Sequence, residues 1–162
     1  MTGGEAARPL LLVGRARDAE PPRWTRRPSA PGVDAGFSDC HPTTDGVLVH
    51  GWSRERSALW HPTDGRSFSR IDLPAGQQMG EIERVGDVLV APGTHRDGSR
   101  DAAVLWHSRD GRTWQNLDLP DRTLVRADWV VPSDEGLLVA VRGDAGLSAV
   151  LLENPAEVLT GQ

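Results

Sequence analysis

This sequence lacks long apolar runs. The longest, Ala102–Trp106 and Leu137–Val141, contain five residues each, whereas a helix that crosses a membrane needs roughly 20. The N-terminal apolar stretch Leu10–Val13 is too short for a secretory signal and follows the acidic Glu5. We therefore expect a single globular domain in the cytoplasm, with no membrane partner.

Lysine and tyrosine are absent, and cysteine occurs once. With Cys40 alone, the chain can form neither an intramolecular disulfide nor a metal site of paired cysteines. All 18 cationic residues are arginines, the net charge is −5, and no basic stripe appears, so nucleic acid is not an expected partner. We interpret the densest cationic cluster, Arg23, Arg26 and Arg27 beside Trp24, as a solvated strand face.

What is present is a pattern of short strands. The chain holds 18 glycines and 12 prolines, and β-branched or aromatic residues occur between them in short runs, as is typical of strands joined by turns. No segment of about ten residues shows a clean period of 3.6, so little or no helix is expected. The sequence predicts an all-β fold.

One segment occurs twice. Residues 58–74 align without gaps on residues 104–120, and more than half of the aligned positions are identical. A turn dipeptide and an apolar run precede each copy. Corresponding residues lie 46 positions apart, among them Trp60 and Trp106, Asp64 and Asp110, and Phe68 and Trp114. We divide the chain into two complete units, 33–74 and 79–120, and two partial units, 8–30 and 124–153.

Each complete unit is predicted to form four strands. In unit 79–120 these are Glu81–Val85, Val88–Pro92, Ala102–His107 and Thr113–Asp118. Val88–Ala91 and Leu137–Val141 show no polar alternation, which predicts burial on both faces of the sheet. Units of about 45 residues with such strands favour a β-propeller-like repeat of four-stranded antiparallel blades over a sandwich. About three to four blades are expected, either incomplete or completed by oligomerisation.

The turn between the third and fourth strands resembles the Asp-box repeat of the bacterial-neuraminidase family, in which a Ser-x-Asp-x-Gly-x-Thr-Trp hairpin joins these strands in each blade. The matching segments are Ser108-Arg-Asp-Gly-Arg-Thr-Trp114 and, more loosely, Pro62-Thr-Asp-Gly-Arg-Ser-Phe68, each one residue shorter between aspartate and glycine. The resemblance implies that the aspartate orders the turn and that the aromatic side chain packs beneath it. The residues to which we assign this structural role are Trp60, Asp64, Gly65, Phe68, Trp106, Asp110, Gly111, Thr113 and Trp114.

The resemblance also bears on activity. Sialidases of that family use a tyrosine nucleophile and three arginines, and this chain has no tyrosine, so sialidase activity is excluded. No catalytic, cofactor or metal-binding motif stands out elsewhere. The most polar segment, residues 95–101, is interpreted as a hairpin loop or, alternatively, as a ligand-contact loop. Its candidate contact residues are His95, Arg96, Asp97, Arg100 and Asp101.

We therefore expect a non-catalytic binding or scaffolding module without cofactors, whose partner is a protein or a glycan. The alternative is a glycoside hydrolase or lyase on a propeller frame, which would use carboxylates brought together by distant loops. An incomplete set of blades would expose apolar sheet faces, so a homo-oligomer is a further expectation.

Overall fold

The computed structural model describes residues 11–17, 20–27, 35–44, 46–53, 56–62, 68–73 and 77–160. Most of these residues lie in antiparallel strands, and the chain divides into two compact units. The first unit comprises residues 1–42 and 46–71, and the second comprises residues 43–45 and 72–162.

The first unit contains a hairpin and a four-stranded sheet. Its strands are β1 (Leu11–Arg17), β2 (Glu20–Arg27), β3 (Ala35–Thr43), β4 (Gly46–Ser53), β5 (Arg56–Pro62) and β6 (Phe68–Ile71). β1 pairs with β2 in a separate two-stranded sheet, and β3 to β6 follow one another in chain order across the larger sheet. Val49, Ala58 and Trp60 form the core of that sheet, with Phe37 and Phe68 packed against them.

The second unit contains two sheets and a short helix. Its elements are β7 (Gln78–Met79), β8 (Glu83–Val85), β9 (Val88–Asp97), β10 (Arg100–Ser108), β11 (Gln115–Asp118), β12 (Leu124–Ser133), β13 (Gly136–Gly143), β14 (Gly146–Leu152) and α1 (Pro155–Thr160). The first sheet has the order β11-β10-β9, and both β7 and β8 pair with β9 on its other side. The second sheet has the order β12-β13-β14. The predicted fold class, all-β with antiparallel blade-like sheets, is confirmed.

β7 and β8 share one edge position of the β7–β11 sheet, and the chain between them interrupts this edge strand. β7 pairs with Thr94 and Gly93 of β9, whereas β8 pairs with residues 88–90 nearer its start. Across the interruption, the N–H of Gly80 donates to the carbonyl oxygen of Pro92 at 2.7 Å, which holds the chain against β9. The strand predicted at 81–85 therefore begins at residue 83, and residues 78–79 form the other part of the same edge strand.

Residues 95–101 are not the loop that the sequence predicts. β9 and β10 continue through most of this segment, with Arg96 opposite Asp101, and only Gly98 and Ser99 form the turn. The correction has a physical reason, since opposite charges placed directly across two strands stabilise the pairing. The segment therefore lies within the paired strands.

The two sheets of the second unit pack face to face over one hydrophobic core. Buried residues of β9 and β10 on one side meet those of β12 and β13 on the other, and Leu159 of α1 joins them. The largest contributors are Val88, Val90, Leu105, Leu137, Val139 and Val141, each at most 1% exposed. Sheet-on-sheet packing of this kind is how blade-like sheets bury their inner faces.

Burial on both faces is confirmed for one strand and wrong for another. In β9, Leu89 and Ala91 on the second face are as fully buried as Val88 and Val90 on the first. In β13, by contrast, Leu138 on the second face is 42% exposed. An apolar run in the sequence does not indicate which face of the strand is covered by another part of the protein.

The β5–β6 and β10–β11 hairpins have the same register. Trp60 lies opposite Arg70 and Trp106 opposite Asn116, so the partners too are 46 positions apart, and both tryptophans are at most 2% exposed. On the other side of each tryptophan strand, the offset falls to 42 because the β9–β10 hairpin is four residues longer.

The described residues contain no helix with the length and apolar character needed to cross a membrane.

Candidate functional site

Asp110 organises the turn between β10 and β11. Its Oδ1 accepts hydrogen bonds from the N–H groups of Arg112 and Thr113, both at 2.8 Å, and from the hydroxyl of Ser108 at 3.0 Å. Ser108 Oγ in turn accepts from the N–H of Gly111 at 2.9 Å. An aspartate commonly caps a turn in this way, because its short side chain reaches backbone donors two or three residues ahead.

The remaining residues of this turn close it from below. Gly111 has a φ of +72°, a conformation that glycine adopts without a steric penalty. The indole Nε1 of Trp114 donates to the carbonyl oxygen of Gly111 at 3.1 Å, so the aromatic ring is anchored beneath the turn. The structure thus brings Asp110, Gly111, Thr113 and Trp114 into one hydrogen-bonded unit.

The electrostatics of Asp110 reflect this network. Partial burial raises the pKa of its carboxyl, but the hydrogen bonds from Thr113, Arg112 and Ser108 outweigh burial and lower it below the ordinary value. Asp110 is therefore a bound carboxylate in the folded protein. A carboxylate in this state serves as an acceptor rather than as a proton donor.

The earlier copy of this turn lies largely outside the described residues, which end at Pro62 and resume at Phe68. Asp64 and Gly65 fall in that interval. The flanking aromatic residues are described: Phe37 meets Trp60 edge-on at a centroid distance of 5.4 Å and lies 5.6 Å from Phe68.

A second polar site surrounds the β9–β10 hairpin. A pocket of about 520 Å³ opens between this hairpin and the segment that leads from β11 to β12. Its polar lining consists of His95, Arg100, Asp101, Asp118, Asp121 and Arg122, and its apolar lining of Ala102, Ala103, Leu119, Pro120 and Leu124. A volume of this order is typical of small-molecule sites.

All three carboxylates in this pocket have partners, and Asp118 accepts from the side-chain amide of Asn116 at 3.2 Å. Asp101 receives a two-point ion pair from Arg96, with Nε 2.8 Å from Oδ1 and Nη2 3.3 Å from Oδ2. This hydrogen-bonded pair lowers the pKa of Asp101. Asp121 accepts from the hydroxyl and N–H of Thr123 at 2.7 and 2.8 Å, and these bonds lower its pKa as well.

Unlike the pocket carboxylates, the two pocket arginines have no described side-chain partner. The guanidinium groups of Arg100 and Arg122 make no hydrogen bond or ion pair with any side chain that the structure describes, and both residues are exposed. Two guanidinium groups with free donors at one pocket can grip an anionic group, because each offers several N–H donors in a planar fork.

His95 also lines the pocket. Its ring lies edge-on to Trp106 at a centroid distance of 6.4 Å, and the indole Nε1 of Trp106 donates to the carbonyl oxygen of Gln78 at 3.2 Å. Trp106 therefore supports the pocket from within the sheet. The predicted contact residues His95, Arg100 and Asp101 line the pocket, Arg96 acts on it through Asp101, and Asp97 lies opposite Arg100 in the ladder.

A smaller cavity of about 290 Å³ lies beside the Asp110 turn, between the turn, His107 and Leu159 of α1. Burial lowers the pKa of His107, and the nearby positive charge of Arg109 lowers it further. His107 is thus a neutral imidazole at neutral pH. Among the described residues, no three histidine, cysteine or acidic side chains converge in a way that could hold a metal ion.

Sequence reasoning missed Arg122 and the two aspartates Asp118 and Asp121. Asp118 is the last residue of β11, and Asp121 and Arg122 lie in the connection that follows it. A signal was available. Because β10 pairs antiparallel with both β9 and β11, the end of β11 lies at the same end of the sheet as the turn between β9 and β10.

No protein-family model matches this sequence, and no curated protein is significantly similar to it.

Proposed function

We propose that this protein is a non-catalytic binding module of blade-like repeats related to the Asp-box type, and that the pocket at the β9–β10 hairpin binds a small anionic ligand. The single observation that carries the proposal is the pair Arg100 and Arg122, two arginines without partners among the described residues on one pocket. The ligand class is a carboxylate-bearing small molecule, such as an acidic sugar. A cytoplasmic location belongs to the same proposal.

The hydrogen bonding of the pocket carboxylates supports an anionic ligand, because it leaves the arginine donors free. The negative charge of Asp101 is offset by Arg96, and that of Asp121 is stabilised by Thr123. Asp118 accepts from the side-chain amide of Asn116 at 3.2 Å, so all three pocket carboxylates have a described donor, whereas the guanidinium groups of Arg100 and Arg122 have no described acceptor. The apolar wall around Leu119 and Leu124 gives such a ligand a surface on which to place its carbon skeleton.

The pKa shifts favour binding over hydrolysis at this pocket. A glycosidase needs one carboxyl with a raised pKa to act as the general acid. The pKa values of Asp101 and Asp121 are both lowered. Two of the three pocket carboxyls therefore have the opposite shift from the one that this role requires.

The experiment is a ligand-dependent thermal shift. Citrate and glucuronate, titrated to about 10 mM against sodium chloride of equal ionic strength, should raise Tm by a few degrees, since a ligand at many times its Kd stabilises the folded state by about 1–3 kcal/mol. Arg100→Gln and Arg122→Gln should each remove most of this rise. Arg109→Gln, an exposed arginine outside this pocket, is the matched control and should keep it.

Absence of a shift beyond the salt control would refute the proposed pocket. So would an equal shift in the Arg100→Gln and Arg109→Gln variants, because the ligand would then bind elsewhere. Calorimetric titration of glucuronate into the wild type and the Arg122→Gln variant gives a second readout that does not depend on unfolding.

A further inference from the structure

The outer face of the β12–β14 sheet is a contiguous apolar surface. Residues that lie opposite each other in the antiparallel ladder point to the same face, so Leu138 shares its face with Val131 and with Leu151. We define the outer face by its apolar members, Trp129, Val131, Leu138, Ala140, Leu147, Ala149 and Leu151. Of the eight large apolar side chains that are exposed in the described residues, five belong to it.

We propose that this outer face binds a second copy of the chain, with the two outer faces packed against each other about a two-fold axis. A two-fold axis makes a patch its own partner, so a flat apolar face needs only another copy of itself. The inner face of the same sheet already shows the mode of packing, because it lies against the β7–β11 sheet with Val139 at its centre. Apolar patches of this extent on a protein surface usually mark an interaction site.

The charges at the two ends of the sheet favour one orientation. At one end Arg126 and Arg142 flank Asp128, with Arg142 Nη2 3.3 Å from Asp128 Oδ2, and Asp144 follows at the hairpin tip. This end carries no net charge. The other end carries three exposed acids and no cation: Asp134, Glu135 and Glu153.

A two-fold axis along the strands would place these three acids against their own copies. An axis across the strands would instead place them over Arg126 and Arg142 of the second copy. Like charges brought together at an interface oppose association, so we infer the antiparallel arrangement. Ala140, in the central strand β13, then lies close to the axis.

The size of the face predicts a weak dimer. Three strands spaced about 4.8 Å apart and about seven residues long form a plane of roughly 14 by 24 Å, or about 340 Å² per copy before side-chain relief is counted. Side chains such as Trp129, 57% exposed, add to this area. The area buried on both copies together lies near the lower limit of about 1,000 Å² for specific interfaces, so we expect a Kd in the micromolar range.

The experiment is sedimentation of the full chain between about 1 and 100 μM. We expect a species of twice the 17.5 kDa chain mass that dissociates on dilution. Leu138→Glu should raise Kd by at least about 30-fold, because it buries a carboxylate in an apolar interface. Val158→Glu on α1 is the matched control, since Val158 is 41% exposed and Leu138 42%, and it should leave Kd unchanged.

A cross-linking variant tests the position of the axis. In a Cys40→Ser background, Ala140→Cys should form a disulfide-linked dimer on mild oxidation, whereas Val158→Cys should not. Circular dichroism and a urea midpoint for each variant establish that it is folded. A monomer at 100 μM would overturn the proposal and assign the face to another occupant. A dimer that Leu138→Glu does not weaken, or that Ala140→Cys does not cross-link, would overturn it as well.

Discussion

Replacement of Asp110 by alanine removes the acceptor on which the β10–β11 turn depends. Three donors, the N–H groups of Arg112 and Thr113 and the hydroxyl of Ser108, lose their partner. Hydrogen bonds to a charged group contribute about 1.5–3 kcal/mol when buried, but this turn is partly exposed and water can replace part of the loss. Taking about 0.7 kcal/mol for each, we expect Asp110→Ala to cost about 2 kcal/mol.

Matched variants separate the contributions of charge and of hydrogen bonding to this loss of stability. Asp110→Asn keeps a neutral oxygen in place and should cost about 1 kcal/mol. Ser108→Ala removes one donor to Asp110 and one acceptor for Gly111, and should fall between Asp110→Asn and Asp110→Ala. Asp87→Ala, in the exposed turn before β9, changes the same residue type without such a network and should cost less than about 0.5 kcal/mol.

The assay is urea and thermal unfolding followed by tryptophan fluorescence. For a chain of this length, 2 kcal/mol corresponds to a fall in Tm of about 4–8 °C. Because the folded-state pKa of Asp110 is lowered, the stability that its carboxylate contributes is present above the unfolded pKa of about 3.9 and is lost as pH falls below it. The advantage of the wild type over Asp110→Asn should therefore begin to fall at about pH 5 and be lost as the pH falls through the lowered folded-state pKa of Asp110. Equal losses for Asp110→Ala and Asp87→Ala would show that the turn does not depend on this carboxylate.

Two further predictions concern single side chains in the second unit. A Cβ at Gly93 would overlap the carbonyl oxygen of Gln78 and the indole of Trp106, so Gly93→Ala should cost at least about 3 kcal/mol by urea midpoint, whereas Gly86→Ala, whose Cβ meets open space, should cost about 1 kcal/mol. Similar midpoints for the two would contradict the close approach. The lowered pKa of His107 means that its neutral form stabilises the fold, so stability should fall as pH drops below about 6.5, and His107→Gln should flatten that part of the pH profile. An unchanged slope in His107→Gln would assign the pH dependence to other groups.

Local chemistry made several features predictable. The strand pattern of unit 79–120 follows from residue types that act over two to four positions, and the structure places β10 and β11 within two residues of the predicted bounds, whereas β9 extends five residues further. The role of Asp110 is of the same kind, since its partners at 112 and 113 are its neighbours in sequence.

Other features depend on residues that are distant in sequence. Gly51 and Gly93 both lie where a Cβ would overlap a carbonyl of the adjacent strand, at Gly36 and Gln78 respectively. These two glycines are 42 positions apart, whereas the repeated segment recurs after 46 positions, because the β9–β10 hairpin is four residues longer than the β4–β5 hairpin. The sequence repeat therefore does not align them. The break between β7 and β8 was equally hidden, since the hydrogen bond from Gly80 to Pro92 joins residues on different strands.

The sequence by itself determined that the chain folds into short antiparallel strands, where those strands turn, and how the Asp110 turn is held, because each depends on interactions between near neighbours. Only the tertiary structure decided that Leu89 is covered and Leu138 is not, and that Arg100 and Arg122 share one pocket. Both outcomes depend on which sheet face meets another surface. An apolar run carries the same pattern whether or not that surface is there.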